Sequence, residues 1–314
     1  MLRTDICDLF GIEYPIIQGG MAWVSTSSLV AAVSEAGGLG IIGCGGMDVD
    51  QLASEIRKTH ELTKKPFGVN LLLTHRQVDE MFDVILRDPP AVVTTGAGNP
   101  GKYIPALKDK GVKVVPVIPS VALALRMQRS GADAVIAEGT ESGGHIGELT
   151  TMVLVPQVVE ALKIPVVAAG GIIDARGMVA ALALGAQGVQ MGTRFLVASE
   201  TNIHDNIKNC VVKAKDRDTI VTGRSTGHPV RVMKNKLSRE LERLDMENNP
   251  KALEKLGTGK MRLAMHDGDI EWGSVMCGQG AGMVKSIQSA AEIIQEITSE
   301  AREIMTRLCR DGER

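Results

Sequence analysis

Short apolar runs recur along the chain, and each is continuous rather than alternating. They fall at residues 14–20 (YPIIQGG), 38–43 (GLGIIG), 66–73 (PFGVNLLL), 91–96 (AVVTTG), 113–119 (KVVPVIP), 132–139 (ADAVIAEG), 165–171 (PVVAAGG) and 188–195 (GVQMGTRF). Unbroken runs of this length predict strands covered on both faces, as in a parallel sheet. Between them the apolar positions move to steps of three and four. Residues 27–38 (SSLVAAVSEAGG) predict a helix with serines at its start, closed by Gly37. Residues 49–63, 78–88, 120–131 and 175–186 repeat that pattern. At Gly131-Ala132 and Gly185-Ala186 a glycine C-cap feeds the next strand. Strand–helix alternation repeated about eight times predicts an α/β fold, a (β/α)8 TIM barrel. A doubly wound open sheet is the competing topology. It usually carries its phosphate loop after the first strand, where this chain reads QGGMAWV rather than GxGxxG.

After Phe195 the rhythm breaks. Residues 198–282 are polar and irregular, with a charged helical run at SRELERLDMENNPKALEKLG, and predict a cap inserted after strand eight. Residues 1–197 and 283–314 then form the barrel. Its last element is a long amphipathic helix over 284–309, apolar at Ile287, Ala291, Ile294, Ile297, Ala301, Ile304 and Leu308.

Composition narrows the function classes. The 314 residues carry a formal net charge of -2, which argues against nucleic acid or an anionic membrane as a partner. The five cysteines are dispersed and form no CxxC pair, so reduced thiols and no metal site are expected. No signal peptide and no membrane span is legible, so a cytoplasmic protein is expected. Cys44 and Cys277 lie among small residues and read as packing residues.

In a barrel the site lies at the C-terminal ends of the strands. Those ends are small or polar: Gly20, Met21 and Ala22 after strand one, Asn70 on strand three, Glu138 on strand six, Gly170 and Gly171 after strand seven, Gly192 and Thr193 after strand eight. Such a rim leaves space for a flat ligand. The loops after strands seven and eight commonly hold a phosphate through backbone N–H groups. Gly170 and Gly171 would allow its close approach, and the Gly192 and Thr193 N–H groups with the Thr193 hydroxyl would donate to it. The alternative is that these glycines only make tight turns. The loop after strand six, AEGTESGGHIGELTT (137–151), presents His145 among glycines. Imidazole suits proton work near neutral pH.

In these segments the chain resembles the FMN-dependent nitronate monooxygenase/enoyl-ACP reductase II superfamily: IIQGGMAWV, AGGLGIIG, PFGVNLLL, VVTTGAGNP, AEGTESGGHIGELTT, PVVAAGGI and QMGTRF. GHPVRVMKNKL (227–237) and GSVMCGQGAG (273–282) are similar to the enoyl-acyl-carrier-protein reductase II branch. That resemblance implies reduction of trans-2-enoyl-ACP by NADH or NADPH through FMN, in type II fatty-acid synthesis. It implies an acidic acyl carrier protein as partner and a homodimer. It places Met21 and Ala22 against the flavin ring, Asn70 at its pyrimidine end, and Glu138 and Gly143 beside it. Gly171, Gln190, Gly192 and Thr193 would hold ribityl and phosphate, and Met276, Gly278 and Gln279 the cofactor edge. His145 would be catalytic, donating the α-proton or stabilising the enolate.

Two other readings stand beside this one. A nitronate monooxygenase would use the same histidine on a nitro substrate with O2. A flavin-binding scaffold without a redox substrate would leave His145 unused. A monovalent cation held by loop carbonyls is left open. A basic stripe (Arg224, Arg231, Lys234, Lys236, Arg239, Arg243) reads either as a solvated helix face or as a docking face for an acidic carrier or a nucleotide diphosphate.

Overall fold

The computed structural model describes residues 2–312. Eight parallel strands close into a barrel: β1 (Ile16–Gln18), β2 (Leu39–Gly43), β3 (Phe67–Leu72), β4 (Val92–Gly96), β5 (Lys113–Ile118), β6 (Val135–Glu138), β8 (Val166–Ala169) and β9 (Gly188–Met191). β1 closes the ring by pairing with both β2 and β9, Ile17 opposite Leu39 and Gln190. Each strand lies within a run expected from the sequence. The chain is a (β/α)8 TIM barrel with a long C-terminal helix.

The barrel interior is filled by Ile17, Ile41, Val115, Ile136 and Val167. Ile6 and Phe10 of the N-terminal helix (Asp5–Phe10) pack with them and plug the N-terminal end. The barrel is therefore a packed core whose open end is the C-terminal one. The helices bury their other contacts in an outer layer, tight enough that Gly40 on β2 is obligatory. A Cβ there would stand 2.2 Å from the Val30 carbonyl oxygen of the helix Ser27–Glu35.

Two boundaries differ from the sequence reading. The last barrel strand stops at Met191 rather than 195, because Gly192 turns the chain into a short helix, Thr193–Leu196, which buries Phe195 and Leu196. The C-terminal helix begins at Ala290 rather than 284. Ser289 starts it: its hydroxyl accepts the Glu292 N–H while the Glu292 carboxylate accepts the Ser289 N–H (2.7 Å). Ile293, Ile294, Ile297 and Ala301 then form its buried face, and the more N-terminal Ile287 stays exposed.

Residues beyond β9 fold over the barrel's open end. They hold helices Asp205–Val212, Lys236–Met246, Pro250–Gly257 and Lys260–Met265, and strands β10 (Thr219–Thr222) and β11 (Val230–Met233). The charged run read as one helix is two. Asn248 is left-handed (φ 52°), and Asn249 caps a new start at Pro250. Val24, Ile173 and Leu196 of the barrel share one apolar cluster with Ile203, Ile207, Met233 and Val275, so these layers are packed together. A further short strand, β7 (Gly144–His145), leaves the loop after β6 and joins β11 and β10 in an antiparallel sheet of order β10-β11-β7. Among the described residues no helix is long and apolar enough to cross a membrane.

Gly40→Ala is expected to cost about 3 kcal/mol through overpacking against backbone. Gly257→Ala, at a helical position with nothing within 4 Å of the new Cβ, is expected to be neutral or to stabilise by up to about 1 kcal/mol. Urea denaturation of both variants checks the contrast. Equal effects would contradict the packing described.

Candidate active site

A cavity of about 670 Å³ opens over the C-terminal ends of the strands, within the range of small-molecule and cofactor sites. One wall is the turn after β1, with Gly20, Met21 and Ala22. Gly20 has no room for a side chain, since a Cβ would lie 2.5 Å from the Asn70 Cβ. The Ser25 hydroxyl accepts the Met21 N–H (2.9 Å) and fixes the turn. Asn70 on β3 is oriented by Thr94, whose hydroxyl donates to Asn70 Oδ1 (2.9 Å). Its amide N–H groups are thereby left to face the cavity. The Cys44 thiol donates to the Asn70 carbonyl (2.8 Å), and burial pushes that thiol up, so it stays protonated. Cys44 supports Asn70 and supplies no nucleophile.

The wall after β8 and β9 is a cradle. Gly170 (φ 102°) and Gly171 (φ 70°) are both left-handed, a conformation that favours glycine. The N–H groups of Gly171, Gly192 and Thr193 donate to no acceptor among the described residues. The Thr193 hydroxyl accepts the Gly278 N–H (2.8 Å), which leaves its own proton to donate. Gln190 lies against Gly19, where a Cβ would be 3.2 Å from the Gln190 amide carbon. Three N–H donors and a hydroxyl at a glycine-lined surface suit a phosphate. The Asn70 amide and the side-chain-free turn at Gly20 suit a planar ring with polar edges.

The loop after β6 forms the third wall and is tied from two sides. On the barrel side, the Glu141 carboxylate accepts the Thr151 N–H (2.9 Å) and hydroxyl (2.9 Å) at the start of the helix Thr151–Ala161. The same hydroxyl is 2.9 Å from the Gly170 carbonyl. On the other side, β7 pairs with β11, His145 opposite Val230, and the Ile146 N–H reaches the Pro229 carbonyl (3.1 Å). Arg231 is buried, and its Nε and Nη2 both donate to the Thr140 carbonyl (3.2 and 2.9 Å). The Gln279 N–H donates to the Glu141 carbonyl (2.9 Å), and Gly143 lies so close to Cys277 that a Cβ would be 2.6 Å from its backbone.

Electrostatically the cavity is nearly silent. Burial raises the Glu138 carboxyl to about 7, against a weaker opposing pull from the Ser142 hydroxyl. His145 faces the cavity, where desolvation lowers its pKa and the neighbouring His228 lowers it further, which favours the neutral imidazole. Burial pushes the Cys277 thiol far up as well.

The structure brings together Gly20, Met21, Ala22, Asn70, Glu138, Gly143, His145, Gly170, Gly171, Gln190, Gly192, Thr193, Met276 and Gly278 around this one space. It does not bring Gln279 there: that side chain is exposed, and only its N–H acts, as an anchor for the loop. Arg231 likewise leaves the basic stripe, because it points inward and offers nothing to a docking partner. Lys236 and Arg243 pair with Glu271 and with Glu240 and Glu247. The sequence reading missed the β7–β11 pairing, although the alternation of VRVM after the turn GRSTGHP signals a hairpin.

The nitronate monooxygenase family model matches residues 3–86 and 76–300. The chain belongs to the nitronate monooxygenase family. Among solved structures it is similar to FabK from Thermotoga maritima, 50% identical over 98% of this chain and 99% of that one, with a TM-score of 0.96. Among curated proteins it is 42% identical to a (3aS,4S,5R,7aS)-5-hydroxy-7a-methyl-1-oxo-octahydro-1H-indene-4-carboxyl-CoA dehydrogenase of Rhodococcus jostii, over 77% of this chain and 68% of that protein. It is 35% identical to a probable nitronate monooxygenase of Staphylococcus saprophyticus, over 98% and 99%. Members of the family are flavoproteins, and the chain is an oxidoreductase of that superfamily.

The Glu138 shift sets a sign for stability. An unfolded glutamate titrates near 4.5 and the folded one near 7. The folded state therefore holds an extra proton between those values, and stability falls as pH rises through that window. Glu138→Gln is expected to flatten this slope in the apoprotein, by at most about 3 kcal/mol between pH 4.5 and 7. Urea midpoints across pH 4.5–8 read it, and parallel profiles for the two proteins would contradict the raised carboxyl.

Proposed function

We propose that the protein is an FMN-dependent reductase of trans-2-enoyl thioesters, using NADH or NADPH and taking its substrate on acyl carrier protein. The observation that carries this reading is the near-full-length similarity to FabK, an enoyl-ACP reductase II, combined with a histidine of lowered pKa facing a glycine-lined cavity. The Rhodococcus relative, named for a carboxyl-CoA substrate, fits thioester chemistry as well.

Gly171, Gly192 and Thr193 would hold the flavin phosphate, Asn70 the pyrimidine edge, and the Met21–Ala22 backbone the ring. Gly170 and Gln190 would border the ribityl chain, with Glu138, Gly143, Met276 and Gly278 along the ring edge. The bound flavin would supply two-electron hydride chemistry. His145 would donate an N–H to the thioester oxygen, where charge builds as the β-carbon is reduced, and guide a proton to the α-carbon. Ile118, Leu123, Ile146 and Met261 give that space apolar walls, which suit an acyl chain and exclude water. Glu138, its carboxyl raised to about 7, carries less negative charge beside the ring than an ordinary glutamate would.

A second reading is supported by the family model and the Staphylococcus relative: oxidation of alkyl nitronates with O2. Anaerobic oxidation of NADH and NADPH by the flavin-loaded protein, with and without crotonyl-ACP or crotonyl-CoA, separates the two. Thioester-dependent oxidation is expected. Oxidation independent of thioester, with O2 uptake on a nitronate lacking NAD(P)H, would transfer the protein to the second reading. His145→Asn is expected to lower kcat by about 10²–10³-fold while flavin absorbance is retained. A fall of less than threefold would remove His145 from the mechanism.

A further inference from the structure

The mouth of the cavity holds a second imidazole, His228, on the turn Gly223–Pro229 between β10 and β11. This turn is fixed in place. From the helix Lys236–Met246, the Asp245 carboxylate accepts the N–H groups of Gly223 (2.6 Å), Arg224 (3.1 Å) and Ser225 (2.9 Å) and the Ser225 hydroxyl (2.7 Å). The Thr226 hydroxyl donates to the Gly223 carbonyl (2.7 Å) and accepts the His228 N–H (3.1 Å). Gly223 and Gly227 take the left-handed conformations that the turn needs. A ligand that meets Arg224 and His228 does not have to order the backbone that carries them.

The β7–β11 register says where His228 points. Val230 stands opposite His145, so His228, two residues earlier, projects from the same face as its diagonal neighbour. Such neighbours are roughly 7 Å apart, and both side chains line the cavity. Among the described residues no lysine or arginine lines it, and the two histidines are the only lining side chains able to carry positive charge. Arg224, exposed on the same turn, makes no ion pair among the described residues, and the buried Arg231 lies close enough to feel its charge. Two nearby carboxylates are committed elsewhere, Asp245 to the turn's own N–H groups and Glu141 to Thr151. Positive charge at the rim of an apolar cleft attracts anions toward it.

We propose that the Gly223–Pro229 turn is a phosphate subsite, in which His228 and Arg224 bind the phosphate group of a ligand whose reacting end lies beside His145. The inference rests on the enoyl reductase reading, which offers two sources of that group. The nicotinamide nucleotide carries a diphosphate. The thioester carries the phosphate ester of its pantetheine arm. The Gly171–Thr193 cradle is separate and serves the flavin phosphate in that reading.

The test compares phosphate-bearing ligands with phosphate-free partners, in the flavin-loaded enzyme and its Arg224→Ala, His228→Ala and His228→Gln variants. One pair is crotonyl-CoA against crotonyl-N-acetylcysteamine at fixed NADH. The other is NADH against N-benzyl-1,4-dihydronicotinamide at fixed thioester. The ratio of kcat/KM within a pair is expected to fall about tenfold on loss of either side chain, with His228→Gln falling less. A fall in the thioester pair assigns the subsite to pantetheine phosphate, and a fall in the nucleotide pair assigns it to the diphosphate. Lys234→Ala, an exposed basic change outside the cavity, is expected to leave both ratios alone. Ratios within twofold of wild type in both pairs, for both alanine variants, overturn the subsite. Wild-type NADH oxidation without thioester dependence overturns the reductase reading instead, and the nucleotide pair then still decides the subsite. A wild-type enzyme that oxidises neither reduced nicotinamide overturns both.

Discussion

The site depends on one loop being held between two bodies of structure. Residues 139–147 leave a barrel strand with four glycines among nine residues, too flexible by themselves to aim an imidazole. On the barrel side Glu141 ties them to Thr151 and thereby to Gly170. On the other side the β7–β11 ladder, the Gln279 N–H and the Arg231 fork tie them to the layer above. Arg231 is the costly member. A buried guanidinium whose fork meets a carbonyl rather than a carboxylate gives up hydration for little charge compensation. Its return is position: two donors converge on one carbonyl at the base of the histidine loop.

That arrangement also explains the electrical quiet of the cavity. Glycines and apolar side chains line most of it, and burial moves its titratable groups toward their neutral forms: the Glu138 carboxyl up, the His145 imidazole down, the Cys277 thiol up. A cleft of this kind suits transfer between uncharged partners, with a hydrogen bond available where charge develops. Charged recognition is displaced to the rim, where the Asp245-fixed turn stands.

The barrel was legible in the sequence because parallel strands buried on both faces write themselves as continuous apolar runs, and because Gly170-Gly171 and Gly192-Thr193 fall at consecutive strand ends. The site residues at strand ends followed from the same rule. What escaped was tertiary. A two-residue strand at Gly144–His145 has no period of its own, and its pairing with β11 depends on Val230 and Arg231, far along the chain. Arg231 looked like one member of a basic run, since the carbonyl and the strand that bury it, Thr140 and β7, lie far away in the sequence. Gln279 was misplaced for a related reason: its backbone, rather than its side chain, meets the loop. The C-terminal helix was started too early because Ile287 continued the apolar spacing, while the Ser289–Glu292 capping box was the stronger signal.

The most direct test of the clamp is amide hydrogen exchange across residues 140–147 in Arg231→Met and Arg231→Lys, read beside kcat and the urea midpoint. The expected result is faster exchange at Gly144–Ile146 and a lower kcat in Arg231→Met, with partial recovery in Arg231→Lys. Global stability is expected to be unchanged or higher, because a buried cation has been replaced by an apolar chain. Exchange at those amides equal to wild type in Arg231→Met, with kcat intact, would show that the loop holds His145 without the fork.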